Sequence, residues 1–187
     1  MSVAQRLRRG AGAVRGAFRR GRDRMLHPLR QARTRDRLRR TGRPRHILVV
    51  CHGNICRSPY LASVLQRLLA DVHVSSAGLV GPDRPVPDPG VAVASRRGVE
   101  LGAHRSRVLT RDLVSGSDLA IVMEAGQARA LVRQGMDVQR IVVAGDLDPM
   151  SSNQRSIEDP WGQQAEAFEA SYDRLDRCAR VLAEWLH

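Results

Sequence analysis

Residues 46–65, HILVVCHGNICRSPYLASVL, constrain this chain more than any other stretch of it. ILVVC (47–51) is a short apolar run of the kind that forms a strand buried on both faces. PYLASVLQRLLA (59–70) carries its apolar residues at helical spacing. Only a short polar loop separates the two. A strand that hands over so directly to a helix opens a β–α unit, which commits the fold to a sheet with helices laid against it.

The pattern then repeats. VHVSSAG (72–78), DLAIVM (118–123) and RIVVAG (140–145) read as three further strands, and 90–99, 110–117 and 125–135 as helices between them. The segments GPDRPVPDPG (81–90) and DLDPMSSNQRSIEDPWGQ (146–163) are loops by composition. A last helix over 164–186 places Phe168, Tyr172, Leu175, Ala179, Leu182 and Leu186 on one face. The sequence therefore predicts an α/β domain: a four-stranded parallel sheet flanked by helices on both sides, Rossmann-like. Such sheets bind ligands beyond the carboxyl ends of their strands, and Cys51 sits at one of those ends.

Cys51 to Ser58 read C-x5-R-S. Successive N–H groups of His52, Gly53, Asn54, Ile55, Cys56, Arg57 and Ser58 in a tight loop make a concave nest for an anion, and a helix start adds positive potential. Gly53 and Asn54 tolerate unusual backbone angles, and Pro59 suits the first helical turn. Arg57 offers a planar fork for two phosphoryl oxygens. These surroundings favour the thiolate of Cys51 as a nucleophile on phosphorus, with Ser58 a hydrogen-bond donor to it. The plain alternative is a buried cysteine with an arginine nearby by chance. A nucleotide-binding P-loop needs a lysine, and the chain contains none. Hydrolysis of a phosphate ester also needs a proton donor on the leaving-group side. Three Asp-Pro pairs (Asp88, Asp148, Asp159) offer one, and residue type alone leaves the choice open.

CHGNICRSP resembles the active-site loop of the low-molecular-weight protein tyrosine phosphatases, particularly the bacterial members. SSAG, GVELGAHRSR (98–107), SDLAIVME (117–124) and the late DPW before a terminal helix extend the resemblance over about 46–186. It implies a phosphoric monoester hydrolase acting on phosphotyrosine proteins, bacterial tyrosine kinases among them, through a cysteinyl-phosphate and without metal or organic cofactor. It assigns the acid to Asp159, with Asp148 the alternative, and gives Asn54, Ser58, Ser76 and His104 to a network holding the loop in shape. Cys56 becomes a partner for reversible disulfide protection of Cys51. The chain departs from the family in two places. Trp161 and Gly162 follow Asp-Pro where tyrosines are common, which keeps an aromatic wall but removes phosphorylatable residues. The loop 79–89 lacks the aromatic that usually flanks the substrate ring. Tyr60 and Cys178 read as packing. An arsenate reductase of the same fold is a weaker alternative, because only Cys178 is left over to relay a disulfide. A non-catalytic phosphate-binding module is a second, and a nucleic-acid-binding protein a third.

Charge divides the chain. Residues 1–45 hold 16 arginines against Asp23 and Asp36, a net of +14, whereas 46–187 hold 15 arginines against 17 acids, a net of −2. The near-neutral main part, poor in aromatics, argues against nucleic acid there. Val3, Leu7, Ala11, Val14 and Phe18 form a helical stripe among arginines, and TGRPR (41–45) looks like a linker. The extension 1–45 is thus expected to be a basic arm, partly helical or disordered. Its possible partners are a membrane surface, an acidic protein or nucleic acid, and the apolar stripe favours lipid. Three cysteines are too few for a disulfide scaffold, and neither a signal-peptide core nor a run of about 18 apolar residues is present. The expected location is the cytoplasm, with the inner membrane face as a docking surface.

Overall fold

The computed structural model describes residues 3–150 and 154–186, with side chains from residue 21 onward. Helix α1 (Val3–Thr41) leads into β1 (His46–Cys51), α2 (Arg57–Leu68) and β2 (His73–Gly78). Then come α3 (Asp88–Arg96), α4 (Arg111–Ser115), β3 (Leu119–Val122), α5 (Ala125–Arg133), β4 (Ile141–Val143) and α6 (Ala165–Leu186). The four strands are all parallel in the order β2-β1-β3-β4. The chain runs outward from β1 to β2 and then returns past β1 to β3, so the order reverses between β1 and β3. Crevices at such reversal points bind ligands.

Alternation along the strands divides the core into two layers. Ile47, Val49 and Cys51 face α2, α3 and α6, where Leu61, Leu65, Val93, Phe168, Tyr172 and Leu182 close over them. Leu48 and Val50 face the other way, with Val114, Leu131 and Met136. The face of α6 expected from its spacing is the buried one. Tyr60 stacks on Tyr172 with ring centres 3.7 Å apart, and its hydroxyl donates to Asp176 at 2.9 Å, so its place after the loop is a packing role. Cys178 is fully buried and burial pushes its thiol up to about 12, as suits a core residue.

The arm is helical, and it is not separate from the domain. α1 is one helix through Pro28 to Thr41, where Gly42 (φ +73°) ends it. Its last turns are part of the domain. His27, Thr34 and Leu38 are buried, Leu38 joins the core cluster of α2 and α6, and Arg35 lies over the Trp185 ring. His27 Nε2 and Gln31 Nε2 donate to the Asp148 carbonyl at 2.9 and 3.2 Å. In TGRPR, Pro44 is buried. The side chains of the Val3–Phe18 stripe lie outside those described.

Candidate active site

The loop after β1 is shaped by Asn54, whose φ of +52° is one that few residues adopt. Its polar atoms hold it there. Nδ2 donates to Ser58 Oγ and Ser76 Oγ, both at 2.9 Å. Oδ1 accepts from the Arg107 N–H at 3.0 Å, and the carbonyl accepts from His104 Nε2 at 2.8 Å. A carbonyl only accepts, so His104 carries a proton on Nε2. Burial lowers the pKa of His104; the bond to Asn54 opposes this, and Arg107 and Arg105 add to it. The four residues of the expected network are therefore joined through Asn54. Gly78, opposite Cys51 in the β1–β2 register, makes room for this loop: a Cβ there would fall 2.8 Å from Asn54 N.

Cys51 Sγ lies at the base, 2% exposed, accepting from the Asn54 N–H at 3.2 Å and from Ser58 Oγ at 3.1 Å. α2 begins at Arg57 with no side-chain cap and no acid in its first turn, which leaves its positive end free to act on the loop. The Arg57 side chain is 5% exposed; Nη1 donates to the Ile157 carbonyl at 3.0 Å and Nη2 to the Asp159 carboxylate. Its Nε is buried without a partner among the described residues. Buried donors are normally satisfied, so a guanidinium with one unused marks a place where an acceptor belongs.

Above the sulfur is a pocket of ≈ 180 Å³, lined by Cys51, His52, Gly53, Ile55 and Cys56 below and by Val80, Arg84, Asp159 and Trp161 at the rim. Trp161 is 64% exposed and stands beside Asp159, whose Oδ1 accepts the Trp161 N–H at 3.3 Å. The loop bearing Asp159 is fastened at several points. Ile157 N–H bonds the Met123 carbonyl beyond β3 at 3.0 Å, and Arg174 of α6 bonds the Gln154 and Ser156 carbonyls. Cys56 is a buried free thiol pushed up to about 12 by burial first, then by Asp159 and Cys51.

The other two Asp-Pro carboxylates are elsewhere. Asp88 is exposed in the first turn of α3. The Asp148 side chain is wholly buried between Arg174 (2.8 Å) and Arg177 (3.0 Å). Burial alone would raise its pKa, but the two guanidiniums outweigh that and hold it below the usual carboxylate range. It is a structural anchor, not a proton donor facing the pocket.

Comparison with known proteins agrees with this arrangement. The sequence model of the low molecular weight phosphotyrosine protein phosphatases matches residues 46–187. The chain belongs to that family. The low molecular weight protein-tyrosine-phosphatase Wzb of Escherichia coli K12 is 35% identical over 144 residues, 76% of this chain and 95% of its own. Vibrio vulnificus Wzb in complex with benzylphosphonate superposes with a TM-score of 0.68 at 35% identity, covering 75% of this chain and 98% of that one. The YwlE arginine phosphatase of Geobacillus stearothermophilus superposes with a TM-score of 0.67 at 28% identity, covering 75% and 92%. This phosphatase also uses residues that sequence reasoning passed over. Arg84 reaches from loop 79–87 to the Gly53 and Val80 carbonyls, both at 3.2 Å, and lines the pocket mouth. Arg107 ties the Ser76 carbonyl at 2.7 Å as well as Asn54. Neither was legible, because arginine is the chain's only basic residue besides histidine and stands at many positions of no special role.

Proposed function

We propose that this chain hydrolyses phosphotyrosyl proteins with Cys51 as nucleophile, Arg57 as the phosphoryl clamp and Asp159 as the general acid. The Cys51 sulfur attacks phosphorus; the S–P bond forms as the P–O bond to the tyrosyl oxygen breaks, and Asp159 gives that oxygen its proton. Water then attacks the cysteinyl-phosphate, Asp159 takes a proton from it, and the S–P bond breaks to release phosphate. Ser58 Oγ, already donating to Sγ, stabilises the departing thiolate. The N–H groups of the loop and the α2 start stabilise charge on the equatorial oxygens. Asn54, Ser76 and His104 act by holding that loop.

The observation that carries this reading is the Arg57–Asp159 pair beside a hydrogen-bonded Cys51 sulfur. A phosphoryl group that engages Arg57 competes with the carboxylate for the same guanidinium, and a released Asp159 remains at the rim where a leaving group departs. Arg84 favours a neutral aromatic leaving group over a cationic guanidino one, so phosphotyrosine suits this rim better than phosphoarginine. Trp161 and Val80 supply its apolar wall. Free thiols and a phosphoprotein substrate fit a cytoplasmic enzyme. Among the described residues no helix is long and apolar enough to cross a membrane.

Turnover of aryl phosphates at mildly acidic pH by wild type, Cys51→Ser and Asp159→Ala tests the assignment. The serine variant is expected to be inactive. The alanine variant is expected to lose more activity on phenyl phosphate than on p-nitrophenyl phosphate, whose better leaving group needs the proton less. Equal losses on both substrates would remove Asp159 from the acid's role.

A further inference from the structure

The second half of α1, together with Gln139, Asp146 and Arg155, encloses a groove of ≈ 730 Å³, remote from the catalytic loop in its lining. Five guanidiniums face it: Arg30, Arg33, Arg37, Arg40 and Arg155, against only Asp36 and Asp146. Three of the five have carboxylates of their own. Arg40 pairs with Asp36 at 2.5 Å, Arg155 with both oxygens of Asp146 at 2.6 and 2.8 Å, and Arg30 with Asp23 at 3.0 Å. Two are left over. Arg33 is exposed and makes no hydrogen bond or ion pair among the described residues. Among the described residues Arg37 has only long, neutral partners, the Val138 carbonyl at 3.3 Å and Thr34 Oγ1 at 3.4 Å, and its Nε is buried without any.

That is an unfavourable way to hold a cation. A guanidinium taken partly out of water is stable when carboxylate or phosphate oxygens replace its hydration. Burial lowers the pKa of Arg37; Asp146 opposes this and Arg155 adds to it. Arg33 and Arg37 lie four residues apart, on one face of α1. Together with Arg155 across the groove they can satisfy oxygens spaced along one ligand. Among the described residues no aromatic ring lines the groove to stack on a base or a sugar. Its volume lies within the range of small-ligand sites.

We propose that this groove binds a small multivalent phosphate anion, a chain of phosphoryl groups held by Arg33, Arg37 and Arg155. The ligand replaces the weak bonds of Arg37 with charge-assisted ones and gives Arg33 a counter-ion. Because Arg155 belongs to the same loop as Asp159, the ligand touches the segment that carries the acid. The same chemistry is presented by a soluble oligophosphate or by the headgroup of a bisphosphorylated inositol lipid.

The test uses the full chain with its catalytic pocket saturated by benzylphosphonate, whose ring has no apolar wall to meet in the arginine groove. Tripolyphosphate is titrated calorimetrically against wild type and against the double variant Arg33→Gln/Arg37→Gln. One site is expected in wild type, weakened at least tenfold in the double variant, with Arg37→Lys intermediate. Hydrolysis of p-nitrophenyl phosphate at the wild-type rate reports that the variant is folded. Vesicles with and without the inositol bisphosphate lipid form the second arm. Arginine-dependent binding of tripolyphosphate assigns the groove to soluble phosphates, and arginine-dependent binding of the vesicles alone assigns it to the headgroup. If wild type and double variant bind both ligands equally, the groove is not the site and the proposal is wrong.

Discussion

Removing the Asp159 carboxylate should slow catalysis and at the same time tighten the grip on inorganic phosphate. Arg57 donates to this carboxylate, and a phosphate oxygen in the pocket has to compete for the same Nη2. At about 4 Å and an effective dielectric of about 20, two unit charges attract by about 4 kcal/mol. The Arg57 side chain is 5% exposed but that of Asp159 is 41%, so solvent screens much of that attraction. Fully exposed pairs are worth ~0.2–1 kcal/mol. A value of about 1–2 kcal/mol follows, which corresponds to roughly 5–30-fold tighter phosphate binding in Asp159→Ala. Loss of proton donation should lower kcat by about 10²–10⁴-fold in the same variant. Calorimetric titration of phosphate gives the first quantity and steady-state hydrolysis of phenyl phosphate the second. Phosphate affinity unchanged or weaker in a folded Asp159→Ala protein would refute the idea that this carboxylate competes for Arg57.

Four further variants are informative, the first in two ways. Asp148→Asn leaves Arg174 and Arg177 without their buried counter-charge, so chemical denaturation should show a loss of about 3 kcal/mol. Because Asp148 has a depressed folded pKa, its contribution is present above the unfolded value near ~3.9 and is lost as pH falls through the lower folded value; the variant should lack this part of the acid transition. His104 is also depressed, so its contribution is full above ~6.5 and declines as pH falls toward its folded value; His104→Gln should flatten the stability profile below that pH. Peroxide should convert Cys51 to a sulfenic acid that condenses with the Cys56 thiol to a disulfide and water, so Cys56→Ser should recover severalfold less activity on reduction; equal recovery would remove Cys56 from that role. Deleting residues 1–20, which spares the docked turns of α1, should reduce co-sedimentation with anionic liposomes if the Val3–Phe18 stripe meets lipid.

The catalytic loop was legible because its determinants are local. Cys51, Asn54, Arg57 and Ser58 lie within one strand-to-helix turn, and the requirement for a nest of N–H groups is visible in their order. The proposed acid was not legible from residue type, since Asp88, Asp148 and Asp159 share the Asp-Pro signature. They are separated by partners far away in sequence: Arg174 and Arg177 claim Asp148, and Arg57 claims Asp159. The docking of α1 was missed for a related reason. His27, Gln31, Thr34 and Leu38 recur at helical spacing, but only one is strongly apolar, and the arginines between them obscure the stripe. Arg84 is the single cation of loop 79–89, and nothing local in the sequence ties it to Gly53.

Asp148 has a consequence that reaches past the pocket. Its carbonyl is gripped by α1 and its carboxylate by α6, so one residue splices the leading helix to the trailing one. A polypeptide trimmed to start at His46 would keep every recognisable motif, yet bare the patch that Leu38 covers and strip two donors from that junction. Melting of the whole chain should accordingly follow a single curve that includes these turns, and the shortened one should melt earlier and less sharply.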